Sequence, residues 1–144
     1  MIYLDYQATN PLAPEAREAM LRWLAGPQEM GFANPHSAHR PGRAAAAAVE
    51  VARDQVAALL PPGGRVIFTS GATEAINLAI FGCGAKRIAA SAIEHAAVLD
   101  AAAAVDSVCT LLPVDSAGLM DAEAAIPQGT GLVAVMQEIG RAHV

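Results

Sequence analysis

The stretch that most constrains this chain is residues 65–81, RVIFTSGATEAINLAIF. Residues 65–69 are β-branched and aromatic, a composition that suits a buried strand. From Ala72 onward the apolar residues Ala75, Ile76, Leu78, Ala79 and Ile80 recur at helical spacing. Between the halves sits Ser70-Gly71-Ala72-Thr73, a turn of small residues with a hydroxyl at each end. A strand, a tight turn and a helix start together present free backbone N–H groups to an anion. In this reading Gly71 takes a turn conformation closed to other residues. Ala72 leaves room for close approach, and Thr73 offers its hydroxyl. The stretch reads as a phosphate cradle; the structural alternative is an ordinary βα turn capped by Ser70 or Thr73.

Alternation of strand and helix continues around it. Pro14 suits the first position of a helix, and residues 15–24 carry Ala16, Ala19, Met20, Trp23 and Leu24 on one face. Gly26-Pro27 stops that helix. Residues 31–39 form a polar loop with His36 and His39, whose spacing points to solvated or helix-end positions. Residues 43–60 predict a long alanine-rich helix with the stripe Val49, Ala52, Val56, Leu59 and Leu60. After the 65–81 unit come strands over 87–91, 107–114 and 131–136, with helices over 96–105 and 121–126. This is an α/β layer with a largely parallel sheet, and ligands of such sheets sit beyond the carboxyl ends of the strands. The turns at 70–73 and at Glu94-His95 both belong there.

Composition excludes several function classes. Hydrophobic residues are 54% of the 144, which rules out intrinsic disorder, although many are alanines that bury little area. The net charge is −5 without a basic run, so no nucleic-acid partner is expected. No segment reads as a membrane span or a secretory signal. The two cysteines, Cys83 and Cys109, have no metal-ligand spacing; no metal site is expected, and a cytoplasmic protein with reduced thiols is the simplest reading.

Four motifs in order carry a family resemblance: YLDYQAT at 3–9, NPHS at 34–37, FTSGATEA at 68–75 and EHAAVL at 94–99. Together they resemble the N-terminal part of the cysteine desulfurases, pyridoxal-phosphate (PLP) enzymes of the class V aminotransferase superfamily. The wording of the first and third favours the branch of iron–sulfur assembly and nitrogen fixation. The resemblance covers the chain to about Met136. It implies a three-layer α/β large domain of the PLP-dependent transferases (aspartate aminotransferase-like, fold type I), truncated here. Residues 1–14 would begin a small domain, and 15–137 would form the first part of the PLP-binding large domain. It also implies that Ala72, through its backbone, and Thr73, through hydroxyl and backbone, bind the cofactor phosphate. His95 would stack on the PLP ring and move protons as a catalytic residue; by residue type alone it is equally a polar helix start. The full enzyme would convert L-cysteine to L-alanine and pass persulfide sulfur to a scaffold protein, acting as a homodimer. Alternatives are another class V enzyme, an aminotransferase or selenocysteine lyase, or a non-catalytic phosphate-binding α/β module.

The family's remaining chemistry is absent from these residues. Its Schiff-base lysine has no match: the single lysine, Lys86, opens a strand and has no family motif around it. Neither Cys83 nor Cys109 matches the nucleophilic cysteine. Where the family continues with a motif resembling VNNEIG or ANNETG, Gln137 runs directly into Glu138-Ile139-Gly140. Residues 138–144, EIGRAHV, look like translated sequencing-adapter sequence, which predicts a truncated reading frame with a non-native tail.

Overall fold

A computed structural model describes residues 2–4, 6, 9–24, 26, 28, 31–106, 108–121 and 123–136. Its contacts divide the chain into two units, one of residues 1–9 with 69–144 and one of residues 10–68. The tail expected over 138–144 lies outside the described residues, as does Gln137.

The first unit is built on an apolar strand that is buried on both faces. β1 (Ile88–Ser91) has all four residues buried. Its side chains are Ile, Ala, Ala and Ser, small enough for other elements to approach closely. β2 (Thr110–Leu112) and β3 (Leu132–Ala134) pair with it in parallel, giving the order β2-β1-β3. The register sets Ala90 opposite Leu111 and Ala134. Continuous apolar composition with helical crossovers is the expected signature of such a strand.

Helix α3 (Ala72–Gly82) leads into β1, and helix α4 (Ala96–Val105) follows it. The helices are numbered in chain order, α1 and α2 belonging to the other unit. α3 and α4 pack against each other. Ile80, Ile88, Ala90, Val98, Ala101 and Ala102 form the core between them and the sheet. Burying one Ile or Val contributes about 1.5–3 kcal/mol, and few such residues are available. Among the described residues, five of the nine buried hydrophobics are alanines, Ala45, Ala89, Ala90, Ala101 and Ala102. The thin core inferred from composition is therefore what forms. Asp106, the C-cap of α4, accepts the Ile88 amide at 3.0 Å and so fixes the amino end of β1.

The second unit holds α1 (Pro14–Leu21) and α2 (Arg40–Ala57). Pro14 starts α1 as its sequence position predicts. His39 is the N-cap of α2, its Nδ1 accepting the Gly42 amide at 3.1 Å. A Cβ at Gly42 would come within 2.3 Å of the Ser37 carbonyl oxygen, so only glycine lets the first turn of α2 close onto that loop. Both helices begin and end earlier than expected by up to three residues.

Two expectations are corrected. Residues 65–69 form no strand. The run has no ladder partner among the described residues, and β-propensity does not replace one. Arg53 holds it instead, donating from Nη1 to the Val66 carbonyl at 2.6 Å with its guanidinium 4.9 Å from the centre of the Phe68 ring. Residues 121 and 123–126 make a turn rather than a helix. Asp121 Oδ1 accepts the Glu123 amide at 2.9 Å, and six residues before a proline are too few to repay helix nucleation. The apolar faces of α1 and α2 are largely open: no residue of α1 is buried, and in α2 only Gly42 and Ala45 are.

Candidate functional site

The cradle stretch folds as turn and helix start. Ala75 donates to the Gly71 carbonyl at 3.2 Å, the first bond of α3. The amides of Ala72, Thr73 and Glu74 precede it in the first turn, where a helix has no internal acceptors. No side chain caps this end. The ordinary turn capped by Ser70 or Thr73 is thus not what forms. Ser70 faces the other way: its amide and hydroxyl donate to Glu74 Oε2 at 2.6 and 2.7 Å. Those two bonds, the hydroxyl's first, hold the Glu74 carboxyl below the usual carboxylate range. Thr69 Oγ1 donates to the Gly71 carbonyl at 3.0 Å and Asn77 Nδ2 to the Thr73 carbonyl at 2.7 Å, stiffening the turn on both sides.

Gly71 departs from expectation. Its backbone is extended, φ 166°, which any residue adopts, and a Cβ there would meet nothing within 4 Å. The turn itself does not require glycine. What glycine leaves is open space beside three uncapped amides and the Thr73 hydroxyl. That donor set fits a phosphate. The nearby Glu74 carboxylate is already engaged by Ser70, so its hydrogen-bonding capacity is directed away from the amides.

His95 is the N-cap of α4. Its Nδ1 accepts the Ala97 amide at 3.1 Å. An accepting Nδ1 is unprotonated, so the neutral ring carries its proton on Nε2. The residue is exposed and Nε2 has no partner among the described residues. The structural role foreseen as an alternative, a polar helix start, is therefore real, and it fixes the tautomer. Ala72, Thr73 and His95 lie on the first turns of two helices that pack together. No hydrogen bond joins Thr73 to His95 among the described residues.

Two carboxylates were not singled out from sequence. Glu74 is one. Glu94 is the other, buried at the end of β1 and bonded to Ser91 and to the amide of Met136. The available signal was a lone acid between an apolar strand and an alanine-rich helix, a place where a charge survives only if it is bonded. Asn34, which carries one of the motifs, accepts the His36 amide at 2.9 Å within its own loop.

Lys86, Cys83 and Cys109 all lie near the amino ends of strands: Lys86 two residues before β1, Cys109 immediately before β2, Cys83 capping α3 just ahead of β1. Burial, then the charge of Asp106, pushes the Cys109 thiol up. Since the thiolate is the reactive form, iodoacetamide at pH 8 is expected to label exposed Cys83 first and Cys109 roughly tenfold more slowly. Equal rates, read by mass spectrometry of a time course, would contradict the burial argument. Among the described residues no group of three His, Cys, Asp or Glu side chains is placed to hold a metal ion, and no helix is long and apolar enough to cross a membrane.

Comparison with known proteins adds to this geometry. The family described as Aminotransferase class-V matches residues 2–139. A cysteine desulfurase of Frankia sp. (strain EuIK1) is 44% identical over 90% of this chain and 32% of the relative. A cysteine desulfurase of Mus musculus is 41% identical over 96% of this chain and 33% of the relative. The cysteine desulfurase IscS of Vibrio cholerae serotype O1 (strain M66-2) is 42% identical over 96% of this chain and 38% of the relative. The chain thus spans about a third of the length of the curated relatives it matches.

Proposed function

The chain belongs to the class V aminotransferase family, and on that premise we propose that it is the phosphate-binding portion of a PLP-dependent cysteine desulfurase. The observation that carries the reading is the uncapped start of α3, where TSGATEA leaves three amides and the Thr73 hydroxyl open beside a helix that begins with His95. The amides of Ala72 and Thr73, with the Thr73 hydroxyl, hold the cofactor phosphate; the helix dipole adds to the attraction. His95 would hold or pass a proton at Nε2 for the bound cofactor, while its Nδ1 keeps the imidazole oriented through the Ala97 amide. When bound, PLP supplies an electron sink for carbanion chemistry.

The proposal extends to the whole protein. Its substrate is L-cysteine, its organic product L-alanine, and its sulfur leaves as a persulfide for a scaffold protein of iron–sulfur assembly. The large domain is the three-layer fold type I architecture, with residues 15–137 its first part and residues 1–14 the start of a small domain. Two such chains form a homodimer in the cytoplasm, where Cys83 and Cys109 stay reduced.

The test is Thr73→Ala in the full-length protein. A lost hydrogen bond to a charged group costs about 1.5–3 kcal/mol, so the PLP dissociation constant is expected to rise roughly ten- to a hundredfold. Unchanged affinity by titration of the apoprotein would overturn the cradle.

A further inference from the structure

The carboxyl group of Glu94 is 3% exposed and sits one residue before the imidazole. Its Oε1 accepts two hydrogen bonds, from the Ser91 hydroxyl at 2.9 Å and from the Met136 amide at 2.7 Å. Ser91 is the last residue of β1 and Met136 lies two residues beyond β3. One oxygen therefore bridges the carboxyl ends of two neighbouring parallel strands. The same loop is pinned on its other side, where the Ala92 amide donates to the Leu112 carbonyl at the end of β2 at 2.9 Å. Oε2 is buried and has no partner among the described residues. An unpartnered buried carboxyl oxygen is costly, so what retains a carboxyl group here is the pair of hydrogen bonds accepted at Oε1.

We propose that Glu94 is a positioning residue, an acceptor that ties the backbone carrying His95 to the chain leaving β3 and thereby sets where the imidazole points. The tie itself is a property of this chain; what His95 acts on rests on the cysteine desulfurase reading. The acceptor must sit at one place, two methylenes from the backbone. Glutamine supplies an oxygen there without charge. Aspartate keeps the charge but withdraws the oxygen by one methylene. Alanine supplies nothing. The series separates acceptor position from charge.

The experiment uses the full-length protein with Glu94→Gln, Glu94→Asp and Glu94→Ala. In the apoprotein, 15N spectra of the His95 ring are expected to move for Asp and Ala and to match wild type for Gln. In the PLP-loaded protein, Asp and Ala are expected to lower kcat for L-cysteine about tenfold or more, with KM changed less than about threefold, and to alter the visible circular dichroism of the cofactor. Gln restores both. His95 ring spectra that Ala leaves unchanged would overturn the proposal, as would Gln failing together with Ala, which would assign the effect to charge. If Ala does not fold, the Gln and Asp pair decides alone. If wild type binds no PLP, the desulfurase reading falls, and the ring spectra of the apoprotein still decide the positioning role.

Discussion

His95→Ala in the full-length protein is expected to lower turnover of L-cysteine by about 10²–10⁴-fold, the range for a positioned acid–base group, while PLP affinity changes by less than about tenfold. The proposed phosphate contacts lie on α3 and do not involve the imidazole. Alanine also removes the N-cap of α4, which costs about 1 kcal/mol, so a loss of activity alone is ambiguous. Asparagine resolves it. Its side-chain oxygen accepts from the helix amide as Nδ1 does for Ala97, but it carries no titrating ring. His95→Asn is expected to regain the thermal stability that alanine loses and none of the turnover. Recovery of turnover with the asparagine cap would reduce His95 to a helix-start residue.

Much of the first unit was legible because local signals agreed with the environment. The helix expected over 96–105 forms with those bounds, because His95 caps its start and Asp106 ends it. β1 was legible as a short apolar run, and its buried neighbours allow that run to stay a strand. Agreement failed where tertiary partners decide. Residues 65–69 have strand composition but no ladder, and Ile67 is left 70% exposed. The stripe on α2 is apolar as its periodicity predicts, yet Val49 and Val56 are exposed. Periodicity specifies which face is apolar; it does not specify what covers it.

The candidate site divides in the same way. Thr73 and His95 were found through motifs, whose spacing survives in one sequence. Their supports were not. Glu74 and Glu94 act through oxygens that meet donors four and 42 residues away. The first is within helical reach and recoverable from spacing. The second depends on the pairing of β1 with β3, which a strand pattern alone does not assign. Gly71 shows the opposite error: its residue type invited a backbone argument, whereas its contribution is open space.

Residues 1–144 alone, given PLP and L-cysteine, are expected to show no cysteine-dependent sulfide release and no lysine-dependent cofactor absorbance band. Lys86 is the only lysine in the sequence, and it precedes β1 at the strand's amino end, whereas α4 and His95 follow its carboxyl end. Lys86 lies two residues before β1, and the strand's three steps from Ile88 to Ser91, at about 3.3 Å each, alone span roughly 10 Å, farther than a lysine side chain extends. Cys83 and Cys109 share the wrong end, and the raised Cys109 thiol is a poor nucleophile. Phosphate contacts bind the cofactor's handle and leave the reacting end without a nucleophile or a covalent anchor. The isolated chain is also expected to self-associate. The outer edges of β2 and β3 are unpaired among the described residues, and Leu59 and Leu119 are 83% and 68% exposed. Size-exclusion chromatography with light scattering should find dimers or larger species. Sulfide release together with a cofactor band that Lys86→Ala abolishes would sink the argument, because Lys86 would then have to reach a site that the strand places out of its range.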